Sequence, residues 1–148
     1  MQIAICKMKK NSIERKLFTF RFQLSLTLGG MKAMVAEKSY RFAVRIVRLC
    51  QYLQEKKHEF VLSQQVEKSG TSIRANVTEG QQGQSRADFI SKLSIALKET
   101  SETKYWLSLL HDTGYLTDRE FQSIYSDCIE IEKLLTSILK TTKAKSLS

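Results

Sequence analysis

The stretch Phe121-Gln122-Ser123-Ile124-Tyr125-Ser126-Asp127-Cys128-Ile129-Glu130-Ile131-Glu132-Lys133-Leu134-Leu135-Thr136-Ser137-Ile138-Leu139 decides the fold class. Phe121, Ile124, Tyr125, Cys128, Ile131, Leu134, Leu135, Ile138 and Leu139 recur at three- and four-residue spacing, which is one face of a helix. Just upstream, Thr117-Asp118-Arg119-Glu120 has the form of a capping box, whose hydroxyl and carboxylate satisfy backbone N–H groups that a first helical turn leaves open. Gly114 is placed to close a preceding helix in the left-handed conformation. Two helices joined by so short a connection lie antiparallel.

Reading backward, Phe89, Leu93, Ala96, Leu97, Thr100, Leu107 and Leu110 mark a third helix, capped by Ser85 and running to about His111. Gly80-Gln81-Gln82-Gly83-Gln84 reads as the turn before it. The second helix, roughly Phe60 to Gly80, has the stripe Leu62, Val66, Ser69, Gly70, Ile73 and Val77. An internal glycine costs a helix about 1 kcal/mol, so Ser69 and Gly70 call for close approach of a neighbouring helix. The first helix, about Glu37 to Lys56, buries Phe42, Ala43, Ile46, Leu49, Cys50 and Leu53. Proline is absent and only 6 glycines occur, too few turn signals for a sandwich or barrel. The expected fold is all-α, an antiparallel up-down-up-down four-helix bundle over residues 37–142, with a basic flexible tail over 143–148.

Residues 1–36 do not match this pattern. From Phe18 to Leu28 apolar and polar residues alternate, which is a strand period. A lone strand has no partner in a helical chain, so the segment must pair between subunits, lie disordered or, as the favoured reading, be an extension upstream of a natural start at Met31 or Met34. Arg21 and Gln23 interrupt what a secretory signal would keep apolar. No stretch approaches the roughly 20 uncharged apolar residues of a membrane span. Cys6, Cys50 and Cys128 are odd in number and at no metal-like spacing, as in a reduced cytoplasmic protein. The formal net charge of +9 concentrates in residues 1–36, where seven basic and one acidic side chains give +6; the other seventeen and fourteen leave +3. The expected folded part is therefore only mildly basic.

The chain has no phosphate loop, dinucleotide fingerprint, nucleophile elbow or paired-cysteine motif. Glu55-Lys56-Lys57-His58 has the Glu-x-x-His spacing of di-metal bundles, but it occurs once, at a helix end among lysines, whereas such sites need a second copy and further carboxylates. Glu99 and Glu102 read as part of a solvated charged face rather than an acid/base pair. His111 reads as a helix-terminus residue. Trp106, beside Tyr105, reads as a core or interface residue in preference to a base-stacking one. No catalytic residue, metal or cofactor is expected.

On the first helix, Lys38, Arg41, Arg45 and Arg48 fall on one strip, able to follow phosphates by charge without reading bases, or simply a solvated face. Tyr40, Val44 and Val47 form a second apolar strip, either a subunit contact or a flank that the bundle itself covers.

Ser69-Gly70-Thr71-Ser72-Ile73-Arg74-Ala75-Asn76-Val77-Thr78-Glu79 and the run from Gln84 to Glu99 resemble the four-helix bundle protein family, some of whose members are encoded in intervening sequences of bacterial 23S ribosomal RNA genes. The likeness continues through Glu102-Thr103-Lys104-Tyr105-Trp106-Leu107 and Gly114-Tyr115-Leu116, and spans about residues 37–142. It implies a homopentameric ring, and an analogy to the accessory variability determinant protein of diversity-generating retroelements, a basic bundle that binds nucleic acid and a reverse transcriptase. By the same likeness Ser72, Asn76 and Glu79 match the signature of the second helix, and Ser85 and Phe89 that of the third. These five are expected to lock the intervening turn, with Asn76 and Glu79 bonding backbone groups there. Gly80 departs from the pattern, since relatives often carry alanine. The leading expectation is an oligomeric binding or scaffold protein contacting RNA or DNA through the first-helix strip. A protein adaptor with no nucleic-acid role stands as the alternative.

Overall fold

A computed structural model describes residues 12–17, 19 and 27–147. Four long helices carry the fold: α1 (Leu28–Lys57), α2 (Val61–Gln81), α3 (Arg86–Asp112) and α4 (Asp118–Ala144). Each packs on the next, and α4 closes the ring on α1, so the bundle runs up-down-up-down around one core. Among the described residues there is no strand. Most of the alternating run lies outside those residues; of it, Thr19 and Leu28 are helical and Thr27 is a cap.

Helix α1 begins at Leu28 rather than near Glu37, a difference with a local cause. The Thr27 hydroxyl accepts from the Gly30 N–H at 3.0 Å, and the added turns bury Val35. At the other end His58 takes a left-handed conformation (φ 53°), and the Glu59 N–H reaches back to the Leu53 carbonyl at 3.0 Å. Glu59 then starts α2. It is buried, and its carboxylate accepts from the N–H groups of Val61, Leu62 and Ser63 at 3.0, 2.7 and 2.7 Å, three of the donors a helix start leaves open.

Ser85 caps α3 through the Asp88 N–H at 3.1 Å, and Thr117 with Glu120 forms the expected capping box on α4. Gly114 has φ 83°. Helix α4 continues past Lys140 to Ala144, because Thr142 is buried there and its hydroxyl bonds the Ile138 carbonyl at 2.7 Å.

The core follows the expected stripes. Phe42, Ile46, Cys50 and Leu53 of α1 meet Val66, Ile73 and Val77 of α2, Leu93, Ala96, Leu107 and Leu110 of α3, and Ile124, Cys128, Ile131, Leu135 and Ile138 of α4. Ala43, Leu49, Leu62 and Leu97 are only half-buried, at the flanks of their stripes. Gly70 has the packing reason its helix cost demands: a Cβ there would lie 2.9 Å from Cγ1 of Ile46. At Gly80 a Cβ would lie 2.7 Å from Cδ1 of Leu93, so the leucine methyl occupies the space.

Candidate binding face on the first and fourth helices

The helical period sets Lys38, Arg41, Arg45 and Arg48 along the side of α1 nearest α4, and the structure supplies acids the sequence strip alone does not reveal. Lys38 pairs with Glu130 of α4 at 2.6 Å. Arg45 pairs with Asp127, and it also donates to the Ser123 carbonyl at 3.2 Å and the Ser123 hydroxyl at 2.8 Å. Arg41 pairs with Glu37, one turn back on its own helix, at 2.6 Å. Arg48 is exposed and forms no ion pair among the described residues. The four cations do share one face, but three of them are already balanced.

Below this strip α1 and α4 part into a groove of about 490 Å³. Buried Leu116 and Ile124 form its floor, half-buried Leu49 and exposed Tyr52 its wall, and Arg45, Arg48 and Arg119 its rim. Arg119 is the residue the sequence reading missed. The available signal was an arginine in the first turn of a helix, where the backbone dipole disfavours a cation. Glu120 also lines the groove, but its carboxylate is held by the Thr117 N–H at 2.9 Å.

The second apolar strip faces outward. Tyr40 is 61% exposed, while Val44 and Val47 are half-buried.

Around the α2–α3 turn the signature residues take other partners than expected. Asn76 Nδ2 donates to the Ser72 carbonyl one turn back at 2.8 Å, and the Ser72 hydroxyl donates to Lys68. Glu79 pairs with Lys92 of α3 at 2.6 Å. Neither Asn76 nor Glu79 bonds the turn backbone, which closes through its own N–H groups, Gln82 to Thr78 and Gly83 to Gly80, both at 3.1 Å. Ser85 and Phe89 do serve the start of α3: one caps it, and the other is buried with the Lys32 ammonium 4.2 Å above its ring.

The remaining chemistry is structural. His58 lies in the exposed left-handed turn after Glu55, and the described residues hold no group of three or more potential ligands that could bind a metal ion. Burial, then Glu102, raises the Glu99 pKa, and Glu102 accepts from the Trp106 indole at 3.2 Å. Trp106 packs half-buried against the core, with exposed Tyr105 edge-on to it. His111 stacks on Phe121 and bonds Asp118 at 2.6 Å, which raises its pKa, so it ties the end of α3 to the start of α4. Lys104 and Glu132 bond at 2.8 Å between α3 and α4, and that bond raises the lysine pKa. Cys50 and Cys128 are buried free thiols, both pushed up to about 12 by burial, which leaves them protonated and inert.

Comparison with known proteins matches residues 31–137 to the family described as 23S rRNA-intervening sequence protein. A crystal structure of a protein with unknown function from the S23 ribosomal protein family, from Bacteroides thetaiotaomicron, is 55% identical, with a TM-score of 0.74. The likeness covers 74% of this chain and 98% of that one. Among curated proteins none matches. No helix among the described residues is long and apolar enough to cross a membrane.

Proposed function

The chain belongs to the 23S rRNA-intervening sequence protein family, and from that premise we propose that it is a non-catalytic, oligomeric binding protein of the cytoplasm whose α1 face contacts RNA or DNA. The observation that carries the reading is the alignment of Lys38, Arg41, Arg45 and Arg48 on one helix side, with Arg48 uncompensated. The partner acids Glu37, Asp127 and Glu130 are themselves partly exposed, and such pairs contribute only about 0–1 kcal/mol each, so phosphates can replace them. Tyr40, Val44 and Val47 offer the surface for self-association, a pentamer by family likeness, and a ring would repeat the basic strip and multiply weak contacts. Of the groups with raised pKa values, Cys50 and Cys128 are buried in the core and Lys104 and His111 tie α3 to α4, while Glu99 is shifted chiefly by burial, which supports a non-catalytic role. The free thiols fit a reducing compartment.

A second reading, a protein adaptor with no nucleic-acid role, is favoured by one observation: three of the four strip cations already have carboxylates within the chain. Light scattering on the full chain, with and without a mixed RNA pool at low and high salt, separates the two. An oligomer that gains RNA only at low salt, and loses it when Arg41, Arg45 and Arg48 become alanine, supports nucleic-acid binding. An oligomer indifferent to RNA favours the adaptor, and a monomer removes the assembly reading.

A further inference from the structure

The α1–α4 groove combines two properties that a phosphate-tracking surface does not need together. Its floor is aliphatic, with Leu116 and Ile124 buried at its base and Leu49 and Tyr52 along its wall. Its rim carries two exposed guanidinium groups, Arg48 from α1 and Arg119 from α4, neither of which has an ion pair among the described residues. At about 490 Å³ it has room for one or two large side chains. A nucleic-acid backbone would engage the rim and leave the floor against sugar or water. Ribose and phosphate do not repay covering an aliphatic floor.

Arg119 strengthens the case for an incoming anion. It stands in the first turn of α4, where the aligned backbone dipoles present partial positive charge. Its cation is unfavourable there until an acid arrives, and Glu120 is held back in the capping box.

We propose that this groove is a docking site for an acidic protein segment, which inserts a leucine or phenylalanine side chain between Leu49, Tyr52, Leu116 and Ile124 and sets flanking carboxylates on Arg48 and Arg119. Guanidinium groups bind carboxylates through paired hydrogen bonds, and the apolar anchor supplies the desolvated centre that most protein interfaces use. The proposal goes beyond phosphate binding by the strip and does not depend on it.

The test uses the full chain and a fluorescein-labelled peptide, Asp-Glu-Leu-Phe-Asp-Glu, read by fluorescence anisotropy. Its amide counterpart Asn-Gln-Leu-Phe-Asn-Gln and the serine counterpart Asp-Glu-Ser-Ser-Asp-Glu are expected to bind at least about tenfold more weakly. Arg119→Glu is expected to cost at least about tenfold in peptide affinity, because it sets a like charge against the peptide's carboxylates in place of an attraction. That variant places at the helix start the charge the dipole prefers, so its fold is not at risk. Exposed Tyr52→Ser, checked for helicity by circular dichroism, should weaken binding severalfold, and Arg41→Ala should leave it unchanged. Peptide affinity equal for all three sequences, or insensitive to Arg119→Glu, overturns the proposal. So does oligouridine binding that falls in Arg119→Glu and Tyr52→Ser while the acidic peptide fails to bind, because the groove would then belong to nucleic acid. Loss of oligouridine binding in Arg41→Ala alone bears on the basic strip and leaves the peptide result to be read separately.

Discussion

Glu59 and His58 show how much one short connection depends on single side chains. The Glu59 carboxylate holds three backbone N–H groups that no other group satisfies, so Glu59→Ala is expected to cost about 1–2 kcal/mol in urea unfolding. His58→Gly is expected to add up to about 1 kcal/mol, because glycine adopts the left-handed conformation without the clash a β-carbon suffers. His111 carries the pH dependence. Its folded pKa is raised above the ordinary 6.5, chiefly by the Asp118 bond, so its contribution is full below about that pH and fades as pH rises through the raised value. Thermal unfolding between pH 6 and 8 should show the native chain losing stability relative to His111→Gln as pH rises. The sequence revealed His111 as a helix-terminus residue, but neither its acid partner nor the Glu59 cap. A carboxylate one residue before the cap position reaches the first turn only because the left-handed residue before it turns the chain back.

At the scale of the helix, the glycines of α2 separate two effects that helix propensity would merge. Gly70→Ala gains about 1 kcal/mol of propensity but drives a methyl onto the branched, buried Ile46, and overpacking of that kind costs about 1–3 kcal/mol. Chemical denaturation should show a net loss, one that shrinks when Ile46→Ala is combined with it. Gly80→Ala meets the far end of the Leu93 side chain and the Lys92 Cβ at 3.2 Å, so the leucine methyl must shift within the core and the same measurement should find a smaller net loss than at Gly70. Helices α2 to α4 were legible because their signals are local: the stripe, the cap and the small-residue pair all sit within a few turns. The start of α1 was not. The alternation from Phe18 to Leu28 has a strand period, yet Thr27 caps a helix that begins at Leu28, the last residue of that run. The acids facing Lys38 and Arg45 were equally out of reach, since they stand 92 and 82 positions away on another helix.

Across the whole molecule, the three consecutive seams each carry a buried polar tie. Cys50 Sγ–H donates to the Ser63 carbonyl between α1 and α2 at 3.2 Å, the Thr103 hydroxyl donates to Ser69 between α2 and α3 at 3.0 Å, and Cys128 Sγ–H donates to the Thr100 carbonyl between α3 and α4 at 3.5 Å. Two of these ties are thiols, so modification reports on the integrity of the core. Cys50 and Cys128 are expected to resist iodoacetamide in buffer and to label together in urea, at the concentration where helical circular dichroism is lost, as one cooperative unit requires. Labelling of one before the other would divide the bundle into separately opening halves.

The fourth seam, between α1 and α4, is the one edge with no connecting loop, and its polar ties among the described residues are surface contacts: Lys38 to Glu130, and Arg45 to Asp127 and Ser123. The bundle is therefore a bracelet with its clasp on the outside, within reach of salt and of other molecules. A molecule that spans Arg48 on one side of the clasp and Arg119 on the other would do the work of an absent loop, making the fastening of the protein and the presence of its guest a single event.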